Sequence, residues 1–313
     1  MSNQKKLIAI PTFNEEATIQ KTLDKLINLQ ENGYSFDLLV CNDGSIDSTV
    51  NILNSNKEKI ILIESQINFG LSEVFNSILF YSKLNKYDSL MIFDADEQYP
   101  VEEIINLFEE FENRGTDIHI GIRNMWKIKH FSFIKKTLQS LGSTFVSFFI
   151  GYRIKDVTSG FRIYSKSAIN NLFSHNKFTY TIETLFQANN IGLKISTSLI
   201  SKVNETRKSV LFSSNSQYIF KTFKIIFFSI ASYKQSLFYI LLSVFSLPGF
   251  FLVSRFFSKY FSQGYNSGNI QSLTLGAIYL ATLFIIFFFT LIFRSQLNNT
   301  REIFQKIYEP KHN

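Results

Sequence analysis

Short apolar runs ending in polar turns recur along the first hundred residues, with helical patterns between them. Residues 7–10 (LIAI), 36–41 (FDLLVC), 60–64 (IILIE) and 90–93 (LMIF) are short, aliphatic-rich and bounded by turn residues, so each reads as a strand. After the first run, Leu23, Leu26, Ile27 and Leu29 supply the apolar face of an amphipathic helix. After the third, a turn containing Asn68 and Gly70 leads into another helix. This alternation of strand and helix calls for a parallel sheet with right-handed crossovers, the frame of a nucleotide-binding half-domain. Four polar loops, Pro11–Glu16, Asn42–Asp47, Asn68–Gly70 and Asp94–Gln98, fall at one edge of that sheet. Toward the C-terminus the pattern changes. Residues 235–254 and 260–293 carry no charged side chain, and each contains an uncharged run of about twenty residues, enough to cross a hydrocarbon core.

Composition follows the same division. Many of the 35 Phe residues lie beyond position 210. Of the net charge of +7, residues from 235 onward contribute +4 and the first 234 contribute +3. A basic excess beside apolar runs suits anionic headgroups and phosphorylated substrates, and no nucleic-acid motif is present. Positive residues precede the first run and follow the second, which predicts a hairpin with both ends in the cytoplasm, although Arg255 and Lys259 fall in the expected connection. The N-terminus has no signal-peptide pattern, so the first 230 residues are expected in the cytoplasm. Cys41 stands alone, which excludes a disulfide framework or a zinc site.

The sharpest chemistry lies in residues 90–100, LMIFDADEQYP, where an apolar run ends in Asp94, Asp96 and Glu97, then Gln98. Open α/β sheets bind ligands at the carboxyl ends of their strands. At a spacing of two, an extended backbone points Asp94 and Asp96 the same way, and hard carboxylate oxygens so placed suit Mg²⁺ or Mn²⁺ bridging a diphosphate. Gln98 repeats the spacing and offers a neutral oxygen. Alone, Asp-x-Asp is more often a solvated turn after a strand; four polar loops at one sheet edge reverse that balance.

IPTFNEE, NDGSIDST, NFG and DADEQYP, in this order and spacing, resemble the family-two inverting glycosyltransferases of the GT-A fold. The later segment DVTSGFRIYSKSAI, with the paired apolar runs, resembles their polyprenyl-phosphate branch, the dolichol-phosphate mannose synthases and bacterial undecaprenyl-phosphate sugar transferases. By motif the resemblance covers about residues 5–210. It implies that Pro11, Phe13 and Glu15 hold base and ribose, that Asp43 hydrogen-bonds the base, and that Gly70 borders the nucleotide. It likewise implies that Asp94, Asp96 and Gln98 form the metal and diphosphate site. The chain departs from the family at Asn42, where an acid is usual, at Phe13, where Tyr is usual, and at Lys208, where glycine is usual.

Downstream, DIHIGIRN reads as a strand ending near Arg123, placed to hold a donor or acceptor phosphate. Residues 127–150 begin with Lys127, Lys129, His130, Lys135 and Lys136 and finish apolar, the pattern of a helix at a membrane surface. Lys136 and Ser140 are four apart and share one face. The resemblance implies that they grip a lipid phosphate, while a helix that merely touches headgroups fits the same residues. The resemblance also makes Asp156 the group that orients a sugar hydroxyl or assists the acceptor, and turns Glu183 toward the site, where a helix-surface salt bridge is the alternative. Arg162 joins Arg123, Lys136 and Arg207 as a phosphate holder. Arg207 and Ser209 resemble a loop that closes over donor phosphates.

The resulting expectation is an α/β chain: a GT-A nucleotide-diphospho-sugar transferase domain with a Rossmann-like mixed sheet over residues 1–214 and an interfacial amphipathic helix over 215–234. A two-helix transmembrane hairpin over 235–293 and a cytoplasmic tail over 294–313 complete it. The expected activity is inverting transfer of a sugar from a UDP- or GDP-sugar to a polyprenyl (undecaprenyl or dolichyl) phosphate at the cytoplasmic membrane face, with Mg²⁺ or Mn²⁺. Membrane lipids and a second copy of the chain are the expected further partners, and nucleic acid is not. Another glycan acceptor, or a non-catalytic membrane-anchored nucleotide-sugar scaffold, are the alternatives. The single Trp126 lies outside any Gln-x-x-Arg-Trp motif, which argues against a processive polysaccharide synthase.

Overall fold

The computed structural model describes residues 4–128, 133–176, 178–201, 203–204, 215–263 and 267–308. The chain divides into two compact units, one ending at Ile226 and the other starting at Phe227. In the first, β1 (Lys6–Thr12), α1 (Ile19–Glu31), β2 (Asp37–Asp43), α2 (Thr49–Ser55), β3 (Ile61–Ser65), α3 (Leu71–Leu84) and β4 (Ser89–Ile92) alternate as the apolar runs predict. There follow α4 (Glu103–Arg114), β5 (Ile118–Ile122), α5 (Phe133–Ile150), β6 (Arg162–Ser165), α6 (Lys166–Asn171), α7 (Thr181–Asn190) and β7 (Ile195–Leu199).

The seven strands form one sheet in the order β3-β2-β1-β4-β6-β5-β7. β1 pairs in parallel with β2 and β4, whereas β6 runs antiparallel to both β4 and β5, so the sheet is mixed. Side chains alternate across the strands and serve both faces. Ile8, Ile10, Leu38, Val40 and Met91 pack with Leu23 and Leu26 of α1 and Leu107 of α4 in one continuous core. Leu7, Ala9 and Leu39 are equally buried, and α3, which adjoins β1 and β2, buries Val74, Phe75 and Ile78. Strands buried on both faces read as near-continuous apolar runs, which is why they were legible. Each of β1, β2 and β4 ends in a polar loop on the same edge, because all three run the same way.

The second unit contains α9 (Gln235–Gln263) and α10 (Ser267–Tyr308), both long and apolar enough to cross a membrane. A Cβ built on Gly276 would lie 3.0 Å from the Gly249 carbonyl oxygen and 2.9 Å from Val253 Cγ2, so the two backbones approach as closely as glycine allows. Tyr279 Oη donates to the Phe245 carbonyl at 2.8 Å, and Ser272 Oγ to the Leu252 carbonyl at 2.9 Å. Two boundaries differ from the sequence reading. Arg255 and Lys259, expected in the connection, lie inside α9, and residues expected to form a tail after 293 continue α10 to Tyr308. An uncharged run ends at the first charge, but backbone hydrogen bonding does not. The stretch expected as an interfacial helix forms α8 (Asn215–Tyr233), and the division between the two units falls within it.

Candidate active site

The acidic stretch after β4 is a turn, not the extended segment that the Asp-x-Asp spacing predicts. Ala95 and Asp96 form the turn, Glu97 adopts a left-handed φ of +57°, and the Gln98 amide donates back to Asp96 Oδ1 at 3.0 Å. Ala95 is buried and its carbonyl accepts from Thr22 Oγ1 on α1 at 3.3 Å. Asp94 and Asp96 nevertheless stay close. Burial, then repulsion from Asp96 and Glu15, push the Asp94 carboxyl up to about 7, against the pull of Arg123. Asp94, Asp96, Glu15 and Arg123 thus share one electrostatic neighbourhood at the carboxyl edge of β1, β4 and β5. A Cβ on Gly160 would lie 3.0 Å from Asp94 Oδ2 and 3.3 Å from the Tyr180 hydroxyl, so the loop before β6 comes right up to this carboxylate.

Two crowded, partly buried carboxylates suit a hard divalent cation, which relieves their mutual repulsion and completes its shell with phosphate oxygens and water. Among the described residues no three His, Cys, Asp or Glu side chains form a complete metal cage. The two carboxylates that could hold such a hard divalent cation are Asp94 and Asp96.

The remaining loops are tied to one another. Glu16 and Asp47 clamp reciprocally: the Glu16 amide donates to Asp47 Oδ2 at 3.3 Å, and the Ser48 amide to Glu16 Oε2 at 2.9 Å. The Asn14 amide donates to Ser45 Oγ while Asn14 Oδ1 accepts from the Ile46 amide, each at 2.9 Å. Glu15 is seated by its amide on Thr49 Oγ1 at 2.9 Å. Asp43, at 5 % exposure, accepts from the Phe69 and Gly70 amides at 2.9 and 2.8 Å, so its carboxylate shapes the Asn68–Gly70 turn. Gly70, with φ +95°, caps α3, a backbone conformation that favours glycine. Pro11 lies in β1 beside Cys41, and Phe13 is half-buried at the end of that strand.

Three assignments change. Asp156 has no exposed surface: Oδ2 accepts from Arg123 Nε at 2.7 Å, and Oδ1 from Arg123 Nη2 at 3.2 Å and Thr158 Oγ1 at 2.8 Å. Burial alone would raise its carboxyl, but Arg123 outweighs burial and holds it below the ordinary carboxylate range. Asp156 positions Arg123 and has no face to offer a sugar hydroxyl. Gln98 Oε1, expected as a third metal oxygen, accepts from Arg123 Nη1 at 2.8 Å, and a guanidinium on that oxygen opposes a second cation there. Arg162, expected to hold phosphate, is fully buried and donates to the carbonyls of Ser159, Thr181 and Val157 at 2.8, 2.7 and 2.8 Å. It organises the 157–160 loop, because a buried guanidinium must spend its donors on fixed acceptors.

Arg123 remains at the site, 8 % exposed and within the field of Asp94. Lys136 donates to the Trp126 carbonyl at 3.2 Å, and the Ser140 carbonyl accepts from Thr144 Oγ1 at 2.9 Å. Lys135, read from the sequence only as part of the basic start of this segment, is the half-buried lysine whose ammonium burial, then Arg123, push below its ordinary value. Glu183 is buried and accepts from His175, Asn176 and Ser174, away from any helix-surface ion pair. Arg207 and Ser209 lie outside the described residues. Sequence reasoning placed Gly160 in the DVTSGFR loop without its contact to Asp94, and it missed Tyr180.

Residues 7–173 match the family model described as Glycosyl transferase family 2. The UDP-N-acetylglucosamine–dolichyl-phosphate N-acetylglucosaminyltransferase of Methanococcus voltae is 28 % identical over 180 residues, 52 % of this chain and 70 % of that protein. The polyprenol monophosphomannose synthase of Mycolicibacterium smegmatis is 21 % identical over 202 residues, 61 % and 75 % of the two chains. The fold is shared with glucosyl-3-phosphoglycerate synthase from Mycobacterium tuberculosis, solved with Mn²⁺, UDP and glucosyl-3-phosphoglycerate, at a TM-score of 0.58 and 15 % identity over 74 % of this chain and 80 % of that one.

Proposed function

The chain belongs to glycosyl transferase family 2, and from that membership we propose that it transfers a sugar from a nucleotide diphosphate to a polyprenyl phosphate at the cytoplasmic face of a membrane, with inversion. The observation that carries this reading is the Asp94–Asp96 turn at the sheet edge, flanked by the Glu15 loop and the Arg123–Asp156 pair, in a chain that ends in two apolar helices. Relatives named for dolichyl phosphate and polyprenol monophosphomannose support the acceptor, and the Mn²⁺ and UDP of the solved neighbour support the donor and metal class.

The tied loops 13–16, 43–49 and 68–70 hold the nucleotide, and Asp94 and Asp96 hold a divalent cation on its diphosphate. When bound there, such a cation would supply charge to offset that on the departing diphosphate. Arg123, fixed by Asp156 and Gln98, adds a cation that needs no rearrangement during reaction. A phosphate acceptor is already ionised near neutral pH, so the site needs no strong general base, in keeping with an Asp156 locked in an ion pair. Inversion then follows from direct attack on the anomeric carbon, and catalysis is positioning and electrostatics.

The acceptor enters along α5. Phe133, Leu141, Phe145 and Phe148 are exposed on this helix while Ser143, Val146 and Ile150 are buried, and Lys135 and Lys136 stand at its start. An apolar outer face with a basic entrance suits a membrane surface rich in anionic lipid. The test uses detergent-purified protein, undecaprenyl phosphate, Mg²⁺ or Mn²⁺, and a panel of radiolabelled UDP- and GDP-sugars, with Asp96→Ala as control. Metal-dependent labelled lipid from one donor, absent in the variant, is the expected result. Donor binding with no labelled lipid from any donor would overturn the acceptor assignment.

A further inference from the structure

Glu97 sits between Asp96 and Gln98, yet its carboxylate is turned to α1. Lys21 Nζ reaches Oε2 and Lys25 Nζ reaches Oε1, each at 2.9 Å. The two lysines are four apart on one helix face, so α1 presents a matched pair of cations to the two carboxylate oxygens. The Glu97 carbonyl accepts from Asn204 Nδ2 at 2.9 Å, and the Gln98 carbonyl from the Asn204 amide at 3.0 Å. One position earlier than the lysine-bound carboxylate's neighbour Asp96, the Ala95 carbonyl is held by Thr22 of the same helix. α1 is itself anchored, with Ile19, Leu23 and Leu26 fully buried.

The ion pairs are partly solvated, with Lys21 at 64 %, Lys25 at 40 % and Glu97 at 21 % side-chain exposure. Pairs this exposed add little to global stability. The backbone they hold is nonetheless one that a non-glycine residue adopts only when its surroundings dictate it, at φ +57°. Weak bonds gathered on a strained residue beside two mutually repelling carboxylates mark a device for geometry rather than for stability.

We propose that Glu97 is a positioning residue: its clamp to Lys21 and Lys25 fixes the turn so that Asp94 and Asp96 converge on one cation. The proposal rests on the metal reading of this turn. A rival account, in which Glu97 merely adds negative charge near the cation, differs in sign at the lysines. If charge alone acts, removing two cations from the neighbourhood tightens metal binding; if the clamp acts, it weakens binding.

The test is titration of the free-Mn²⁺ electron paramagnetic resonance signal with the full-length protein in detergent. Wild type is compared with Glu97→Gln, with the Lys21→Met/Lys25→Met pair, with all three changes together, and with Asp96→Ala. Glu97→Gln and the lysine pair are each expected to weaken Mn²⁺ binding roughly tenfold, the lower end for groups that orient ligands from behind. The triple variant should be no weaker than Glu97→Gln, since one clamp can be lost only once. The lysine changes lie on the outer face of α1, and Glu97→Gly, which accepts the left-handed backbone, should weaken binding similarly if Glu97→Gln does not fold. Unchanged or tighter binding in the lysine pair would overturn the clamp while leaving the metal site standing. Wild-type binding indifferent to Asp96→Ala would overturn the metal reading and the clamp with it.

Discussion

Arg123 and Asp156 meet across 2.7 Å with 8 % and 0 % of their side chains exposed, joining the end of β5 to the loop before β6 beneath the acidic turn. Removing one partner of a buried pair strands the other's charge. Asp156→Ala is expected to cost about 3–5 kcal/mol in denaturant unfolding, and the double change Arg123→Met/Asp156→Ala to cost less than the sum of its single changes. Additive losses would show that the pair is not the unit it resembles.

Gly160 is needed for space and not for its backbone angle. Gly160→Ala would press a methyl against Asp94 Oδ2 and the Tyr180 hydroxyl. The expected outcome is a raised metal requirement in the transfer assay with a stability loss of about 1 kcal/mol, the centre of the range for point changes. A variant with wild-type metal dependence would mean that Asp94 shifts without consequence.

His119 is fully buried, with its ring nitrogens on Ser196 Oγ at 2.6 Å and Ser198 Oγ at 2.8 Å. Burial, then Arg114, lower it from 6.5 to about 4. The fold thus favours the neutral ring. Its contribution is complete above about pH 6.5 and is lost as pH falls toward 4, because the unfolded chain takes up a proton there and the native ring does not. The loss is on the order of 3 kcal/mol. His119→Gln should flatten stability against pH in that window; an unchanged acid limb would assign it to other groups.

Cys41, in β2 between β1 and the edge strand β3, has its thiol pushed up to about 12 by burial, then by Asp43. Native protein is expected to resist iodoacetamide at pH 8 and to react once unfolded, so alkylation reports opening of β2. Rapid labelling of the native protein would place the thiol at the surface.

The frame was legible because its strands are buried on both faces and its loops are polar. Asp94 and Asp96 stand out for the same reason, as carboxylates at the end of an apolar run. What escaped was pairing at long range. Gln98 meets Arg123 25 residues away, Arg162 meets the Thr181 carbonyl 19 away, and Glu97 meets Lys25 72 away. Nothing local in the sequence distinguishes Arg162 from Arg123, yet backbone carbonyls hold the first and the side chains of Asp156, Gln98 and Thr158 hold the second. The resemblance implies that Asp43 contacts the base; its oxygens also accept from backbone amides of the next loop, a pairing no local pattern announces.

That commitment bears on how such a site can be altered. Asn14 with Ser45 and Ile46, Glu16 with Asp47 and Ser48, and Asp43 with Phe69 and Gly70 join three loops from distant parts of the chain into a single mesh of side chain to backbone bonds. Exchanging the 43–49 loop for a relative's would orphan amides in both of the others, and exchanging the 14–16 loop would orphan those of Ile46 and Ser48. On the proposed reading, donor preference in this chain is to be grafted as three segments together or not at all.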